Sequence, residues 1–469
     1  MEEQSNMAIK KEFAEKLMGA RGEVVTPSFS VIPDGYVALV NTGEGRKVAV
    51  VCTAKAEHGA QWKGAAFETV DDPKARKVQS GFFPLIPNNA ALVRRLVSWA
   101  APSSCGVNGV SVAFSDWLGV INSQLPVLFE HKQIKPVLVD FTPAESTALH
   151  CNFLEPMDAA TWSVLSSGYK GGWSANAAAL KDEGDIVKAL LYDYSGVGID
   201  CSDRVDRSVE TWTDDEVQKK FGELDRDFKE AIDKSYLDAE FKLGDDKLAF
   251  EEIPLHRMVL EYGQAIMFLQ KMYKDYLSDT PWDRDFEVDM SNCAKAMTPQ
   301  EHYFLANELK RAAVKFDTLC IDAVVAKDEM DRNLKLHAAI AKAFDYRLSF
   351  TNTALAFDDL EEVTKSFNRK INFKLTNVLW LAALQTVAET EPSLLASIAE
   401  RIDRPVPARE ELSPADPAGI AFATSYDRIL AGQGEKDKDP LGIRAAVEKH
   451  LGTYEGKLAD LVNHYIRTI

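Results

Sequence analysis

Residues 196–203 read Gly-Val-Gly-Ile-Asp-Cys-Ser-Asp, and residues 285–292 read Asp-Phe-Glu-Val-Asp-Met-Ser-Asn. Each is a short, mostly apolar run that ends in small polar residues. The form recurs from about residue 105 onward. Val110–Phe114 ends in Ser115-Asp116, and Pro136–Val139 ends in Asp140. Gly171–Ser174 leads to Asn176, and Phe316–Ile321 ends in Asp322. Tyr346–Phe350 ends in Thr351-Asn352, and Ile371–Leu375 ends in Thr376-Asn377. With the two runs quoted first, that makes eight.

Apolar residues recur at three- and four-residue spacing between these runs, which predicts helices. The expected helices are Trp117–Glu130, Ala159–Gly168, Asp185–Tyr194, His256–Tyr276, Pro299–Val314, Leu334–Phe344, Asp358–Phe367 and Val378–Glu389. Strand–helix alternation requires parallel pairing through right-handed crossovers. Eight such units close a (β/α)8 barrel. A doubly wound open sheet is the competing reading.

The flanks differ from this rhythm. Residues 8–20 carry the spacing of an amphipathic helix. Ser28–Val40 and Lys47–Thr53 read as strands joined by the hairpin loop Asn41-Thr-Gly-Glu-Gly45. The expected organisation is a small N-terminal β-rich domain (1–95), a barrel (100–390) and a C-terminal connector with helices (391–469). Prolines 392, 405, 407, 414 and 417 mark the connector. A charged insertion, 204–252, follows the fourth strand. It reads either as a lid over the catalytic face or as a solvated helical excursion.

Composition narrows the function. The 469 residues are 46% hydrophobic and 27% charged, as in ordinary globular proteins. A net charge of −18 repels nucleic acid and anionic membranes. No apolar stretch reaches the length of a membrane span, and the N-terminus lacks the apolar core of a signal peptide. Six scattered cysteines form no C-x-x-C pair and fit a reducing cytosol. P-loop, G-x-S-x-G and H-E-x-x-H patterns are absent, and Gly196-Val-Gly198 is not a dinucleotide fingerprint. No nucleotide cofactor is expected. The oligomeric state is left open.

Catalytic residues of such barrels sit at the C-terminal ends of the strands. Candidates there are Asp116, Asp140, Asp200, Asp203, Glu287, Asp289, Asp322, Asn176, Asn292, Asn352, Asn377 and Lys374. Each also has a bland reading as a loop cap or turn residue. Glu287 and Lys374 stand out because each interrupts an apolar strand, where an unpaired charge is costly. His302 opens the helix after the fifth strand. It reads as a metal ligand or acid/base, or as a packing residue. His256 and His337 read as packing or surface residues.

Several segments resemble those of bacterial tagaturonate epimerases. Asp158-Ala-Ala-Thr161-Trp162 with Gly168-Tyr169 is similar to their D-D-A-T-W…G-Y. Ile199-Asp200-Cys-Ser202-Asp203-Arg-Val205 is similar to I-D-P-S-D-H-V. Asp285-Phe-Glu-Val288 matches their fifth strand, and Thr298-Pro-Gln-Glu-His302-Tyr-Phe304 resembles a segment bearing a metal-ligand histidine. Lys335-Leu-His337-Ala338 with Ile340-Ala341 resembles K-M-H-A-E-I-A, and Lys374 matches the lysine of the eighth strand. The likeness spans roughly residues 100–400. It implies a cytoplasmic barrel enzyme that interconverts ketouronates with a divalent metal ion.

Two departures stand against this. The family's third strand ends in A-D-A-D-H, where this chain has Ala175-Asn-Ala-Ala-Ala179. The seventh ends in S-L-H-S-G-S-D-K, where this chain has Ser349-Phe-Thr-Asn-Thr-Ala354. The resemblance therefore implies Glu287, Lys374 and Asn176 at the catalytic positions. Asp200, Asp203, Asp289, Asn352 and Asn377 would bind substrate, and His302 would be the one remaining metal histidine. Two functions follow: a sugar-acid epimerase or isomerase with an altered metal site, or a non-catalytic relative that binds a sugar acid.

Overall fold

A computed structural model describes residues 9–469, apart from 121–122, 280–282, 294, 357–359, 402–415, 424–425, 427–428, 430–438 and 440. The prolines at 405, 407 and 414 lie outside the described residues.

The N-terminal part is a six-stranded antiparallel sheet. Its strands are β1 (Gly22–Val24), β2 (Ser30–Ile32), β3 (Gly35–Thr42), β4 (Gly45–Thr53), β5 (Glu68–Asp71) and β6 (Lys77–Phe83). They run in the order β1-β3-β4-β6-β5, with β2 beside β3. The single strand expected over Ser28–Val40 is split. Pro33 cannot donate to a ladder, and Asp34 turns the chain at a φ of +60°. Period-two alternation then divides the sheet into two apolar faces. Ala38, Val40, Ala49 and Val51 pack on the helix Lys11–Met18. Val37, Leu39, Val48 and Val50 pack with Trp62, Phe83 and Val93, and with Trp162 and Leu165 of a barrel helix.

The barrel contains β7 (Val110–Ala113), β8 (Ile134–Phe141), β9 (Ser174–Leu180) and β10 (Gly196–Asp200). After a small hairpin, β11 (Phe241–Leu243) with β12 (Asp246–Leu248), it continues with β13 (Asp285–Asp289), β14 (Thr318–Asp322), β15 (Arg347–Thr351) and β16 (Ile371–Lys374). These eight strands pair in parallel and close, β16 joining β7. The closed ring excludes the open-sheet alternative.

Two local expectations differ. The third strand is Ser174–Leu180, not Gly171–Ser174. Its alanines have weak strand preference, but β8 and β10 bond it from both sides. Gly172 instead turns the chain at a φ of +84°. The helix expected over Trp117–Glu130 shrinks to Gln124–Val127. Asp116 binds the Gly119 N–H at 3.0 Å, and Gly119 is left-handed at +61°.

The insertion folds as helices Asp214–Gly222 and Arg226–Tyr236 followed by the β11–β12 hairpin. Phe221 stacks on His256, and the Tyr236 hydroxyl binds Glu308 at 2.6 Å. The buried side chains of these helices thus face the flank of helices Glu252–Met272 and Pro299–Arg311, while Arg207, earlier in the insertion, lines a small cavity with Met290, Ser291, Ile321 and Asp322 at the strand ends. At the C-terminus, helix Leu451–Thr468 packs along Val378–Thr390.

Candidate active site

The barrel interior is polar, where branched apolar side chains usually fill it. The alternation of β13 puts Asp285, Glu287 and Asp289 on one face, and that of β16 does the same for Asn372 and Lys374. The two strands are separated by β14 and β15, yet the Lys374 ammonium donates to Glu287 Oε1 at 2.7 Å. The pair therefore spans the interior. The same ammonium lies 3.6 Å from Asp140 Oδ1 on β8, and Asn176 of β9 donates to that oxygen at 2.9 Å. Side chains from four strands thus meet.

Space for this meeting comes from β10. A Cβ on Gly198 would lie 3.0 Å from Glu287 Oε1, and one on Gly196 would lie 3.0 Å from Asn176 Oδ1. The two glycines are gaps that the catalytic-face side chains occupy. Below them, Arg347 donates to Ser111 at 2.9 Å, Ser111 to Asn372 at 2.6 Å, and Asn372 to Ser349 at 2.7 Å. A buried polar interior is tolerated when it is bonded throughout in this way.

The electrostatics follow from burial and crowding. Burial opposes the Lys374 charge, but Asp140, Cys320, Glu287 and Asp289 outweigh it, so the amine is held charged well above its usual range. Burial raises the Asp140 carboxyl, with Lys374 opposing. Burial pushes Asp289 up to about 7, although Lys374 opposes that too. Three carboxylates around one ammonium cannot all stay ionised in a low-dielectric interior. Asp289 makes no direct ion pair among the described residues, and burial favours its protonated form.

The other expected residues are placed as follows. Asp200 accepts from Asn292 at 2.7 Å and from the Ser202 N–H at 2.8 Å, with Lys181 at 3.5 Å. Asp203 is solvent-exposed and pairs with Lys181 at 2.8 Å. Asn352, in a left-handed conformation, donates to Asp322 at 2.7 Å. Asn377 donates to the Ala421 carbonyl at 3.2 Å, tying β16 to the C-terminal helices.

His302 is not brought to this cluster. Its Nδ1 bonds His337 Nδ1 at 2.9 Å and its Nε2 bonds the Tyr346 hydroxyl, so neither nitrogen is open to a metal. Burial, then His337, holds its pKa well below the usual range, and burial lowers His337 to about 4. Both rings are neutral packing partners. In this arrangement His302 is thus bonded at both nitrogens to neighbouring rings, away from the Glu287–Lys374 pair.

Among the described residues, one group of three could hold a metal ion: Glu287, Asp289 and Cys320, with ligand atoms within 4.8 Å of one another. The set is a poor match to a divalent ion. Glu287 already receives an ammonium, no histidine joins the group, and burial keeps the Cys320 thiol protonated. Asp140 and Cys320 are the residues that sequence reasoning undervalued. Asp140 reads as a turn starter after Val137-Leu-Val139, and Cys320 as one of six scattered thiols. The signal for Cys320 was available, since Thr318, Cys320 and Asp322 alternate onto one strand face.

A cavity of about 250 Å³ also borders Asp140, lined by Asp116 and Trp117 after β7, by Ala159, Ala160 and Ser163 of the helix outside β8, and by Arg444.

Comparison with known proteins agrees with this architecture. The family model described as tagaturonate epimerase matches residues 26–405. The tagaturonate/fructuronate epimerase of Thermotoga maritima is 26% identical over 376 residues, 78% of this chain and 76% of that protein. Crystal structures of the fructuronate-tagaturonate epimerase of Cohnella laeviribosi share the fold. The native form has a TM-score of 0.81 at 21% identity, over 97% of this chain and 98% of that one. A complex with one glycerol has a TM-score of 0.82 at 20% identity, over 98% of both. With most of its length matched by that family model, the chain belongs to the tagaturonate epimerase family.

Proposed function

We propose that this chain epimerises a ketouronate at the C-terminal mouth of its barrel. The observation that carries the reading is the Glu287–Lys374 pair, which meets across the interior from strands that are not neighbours. Inverting a carbon beside a hydroxyl proceeds by retro-aldol cleavage and re-addition, or by a relayed proton shift. In the first route a base takes the hydroxyl proton, the carbon–carbon bond breaks to an aldehyde and an enolate, and the bond re-forms on the other aldehyde face. Glu287 is the acid/base, with Asp289 beside it titrating near neutrality, where proton transfer is most effective. Lys374 stabilises the enolate oxygen or holds the substrate carboxylate. Asn176 holds Asp140 by hydrogen bond, and the Asp200–Asn292 and Asp322–Asn352 pairs offer polar edges to sugar hydroxyls. Asp203 and Asn377 are occupied at the rim. The divalent ion that the resemblance implies enters no step.

A second reading is a sugar-acid-binding protein without turnover. It is favoured by Asn176, an amide donor where the resemblance expects an acid/base aspartate. Incubation with tagaturonate and with fructuronate, followed by proton NMR, separates the two. Turnover abolished by Glu287→Gln supports the first. Calorimetric binding without turnover supports the second, and neither result overturns the family assignment.

Among the described residues no helix is long and apolar enough to cross a membrane, and the six cysteines form no disulfide. A cytoplasmic location suits those free thiols.

A further inference from the structure

We infer that the Lys374 ammonium is the resident cation of this pocket and that the pocket does not take up a divalent metal ion. The inference concerns the pocket used in the proposed function, but its test reads metal content, so it stands or falls apart from turnover.

Four observations support it. First, the ammonium occupies the space between the carboxylates. It is 2.7 Å from Glu287 Oε1 and 3.6 Å from Asp140 Oδ1, and its side chain is 4% exposed. An ion ligated by Glu287 at about 2.1 Å would share that carboxylate with an ammonium within about 5 Å. Two like charges at that separation repel strongly away from water.

Second, one oxygen of each of the other two carboxylates already has a donor. Asn176 holds Asp140 Oδ1 at 2.9 Å, and the Ser291 N–H holds Asp289 Oδ1 at 2.8 Å. Negative charge in excess of the ammonium is faced by these neutral donors.

Third, among the described residues the sulfur that groups with Glu287 and Asp289 within 4.8 Å is the Cys320 thiol. A thiol ligates a metal as the thiolate, and burial beside Asp289 and Glu287 opposes its ionisation.

Fourth, the two histidines brought together by the barrel helices face each other, with both nitrogens of His302 bonded and His337 Nε2 buried without a hydrogen-bond partner. His302 and His337 bind each other at 2.9 Å, and each is 1% exposed. Reaching the pocket would require both to leave the packed helix layer.

The test uses the full chain. It is dialysed against Zn²⁺ or Mn²⁺, desalted and measured by inductively coupled plasma mass spectrometry, with calorimetric titration of both ions in parallel. The expected wild-type result is well under one bound ion per chain and no titration heat that Glu287→Gln removes. Lys374→Met keeps the stem volume and removes the charge. It is expected to bind Zn²⁺ or Mn²⁺ at least about tenfold more tightly than wild type, because the carboxylates then lack their cation. The inference is overturned if wild type retains about one ion that Glu287→Gln releases, or if folded Lys374→Met binds no more tightly. Should Lys374→Met fail to fold, the wild-type and Glu287→Gln metal contents decide alone. Metal retained equally by both lies outside the pocket and leaves the inference standing.

Discussion

Replacing Gly198 with alanine tests whether the placement of Glu287 limits function. The new Cβ would lie 3.0 Å from Glu287 Oε1, while its next neighbours, the Ala178 Cα and Ala177 O, are at ordinary contact, 3.5 and 3.6 Å. Only Glu287 must move, by about 0.4 Å to reach van der Waals distance. That oxygen also accepts the Lys374 bond at 2.7 Å, which would stretch to about 3.1 Å, near the upper end of good geometry. A charge-assisted bond is worth about 1.5–3 kcal/mol. Partial loss would therefore cost about 1 kcal/mol, roughly fivefold. Misplacement of a reacting group by about 1 Å can cost about 100-fold in rate, so 0.4 Å gives a loss of about three- to tenfold. The fold should be spared, because Gly→Ala stabilises by about 0.4–1 kcal/mol through the unfolded chain and offsets the weakened pair. The assay is turnover of tagaturonate by NMR with calorimetric binding, beside a thermal melt. The control is Glu287→Asp, which withdraws the carboxylate by one bond, about 1.5 Å. In that background Gly198→Ala should add almost nothing, so the double-mutant cycle shows coupling. Turnover and binding within twofold of wild type, or an equal loss in both backgrounds, would refute the packing argument.

Other perturbations have signs set by the same structure. Asp289 titrates near 7 when folded against 3.8 as a free side chain, so the native state holds the extra proton between those values. The Asp289 contribution to stability should fall as pH rises from about 4 to 7, and Asp289→Asn should remove that contribution, roughly 2–4 kcal/mol, in urea unfolding at pH 5 and 8. His337 behaves oppositely. Its folded pKa of about 4 lies below 6.5, so its contribution is lost as pH falls through that window, and His337→Leu should shrink the pH 7 to pH 4 stability difference by about 2–3 kcal/mol. Asn176→Asp sets a carboxylate against Asp140 Oδ1, 2.9 Å from the present amide nitrogen, and should lower stability at pH 8 relative to pH 5 by about 2 kcal/mol in paired melts. Arg94→Met breaks the buried Arg94–Asp158 pair at 2.8 Å and should cost about 3–5 kcal/mol in urea unfolding, while sugar-acid binding by the folded protein stays unchanged.

The barrel was readable because its eight strands end where short apolar runs meet small polar residues, a pattern set by local chemistry. The third strand was misplaced for a physical reason: Ala175–Ala179 lacks branched side chains, and only pairing to β8 and β10 makes it a strand. Glu287 and Lys374 were legible because a charge inside an apolar strand needs a partner. That they are each other's partner depends on barrel closure, which no local window contains. Asp140 stood among the strand-end candidates, but its approach to Lys374 was hidden for the same reason, and so was the use of Gly196 and Gly198 as space for side chains of the adjacent strands.

The segments carrying the resemblance divide by what their side chains touch, and the division explains how the chemistry can change while the likeness persists. Asp158 and Thr161 both accept hydrogen bonds from Arg94, Trp162 enters the core under the N-terminal sheet, and a Cβ on Gly168 would lie 2.7 Å from the Pro27 carbonyl. That segment joins the sheet to the barrel. Thr298 and Glu301 form a capping box at the start of the next segment's helix, and His302 and His337 bond each other behind it. These residues secure helices and domain contacts whatever the pocket binds, because their partners lie outside it. Within the pocket the likeness rests on Glu287 and Lys374 together with the strand ends around them. The matched length therefore speaks strongly for the fold and the family. The chemistry rests on a few side chains whose partners here are an ammonium, two amides and a thiol.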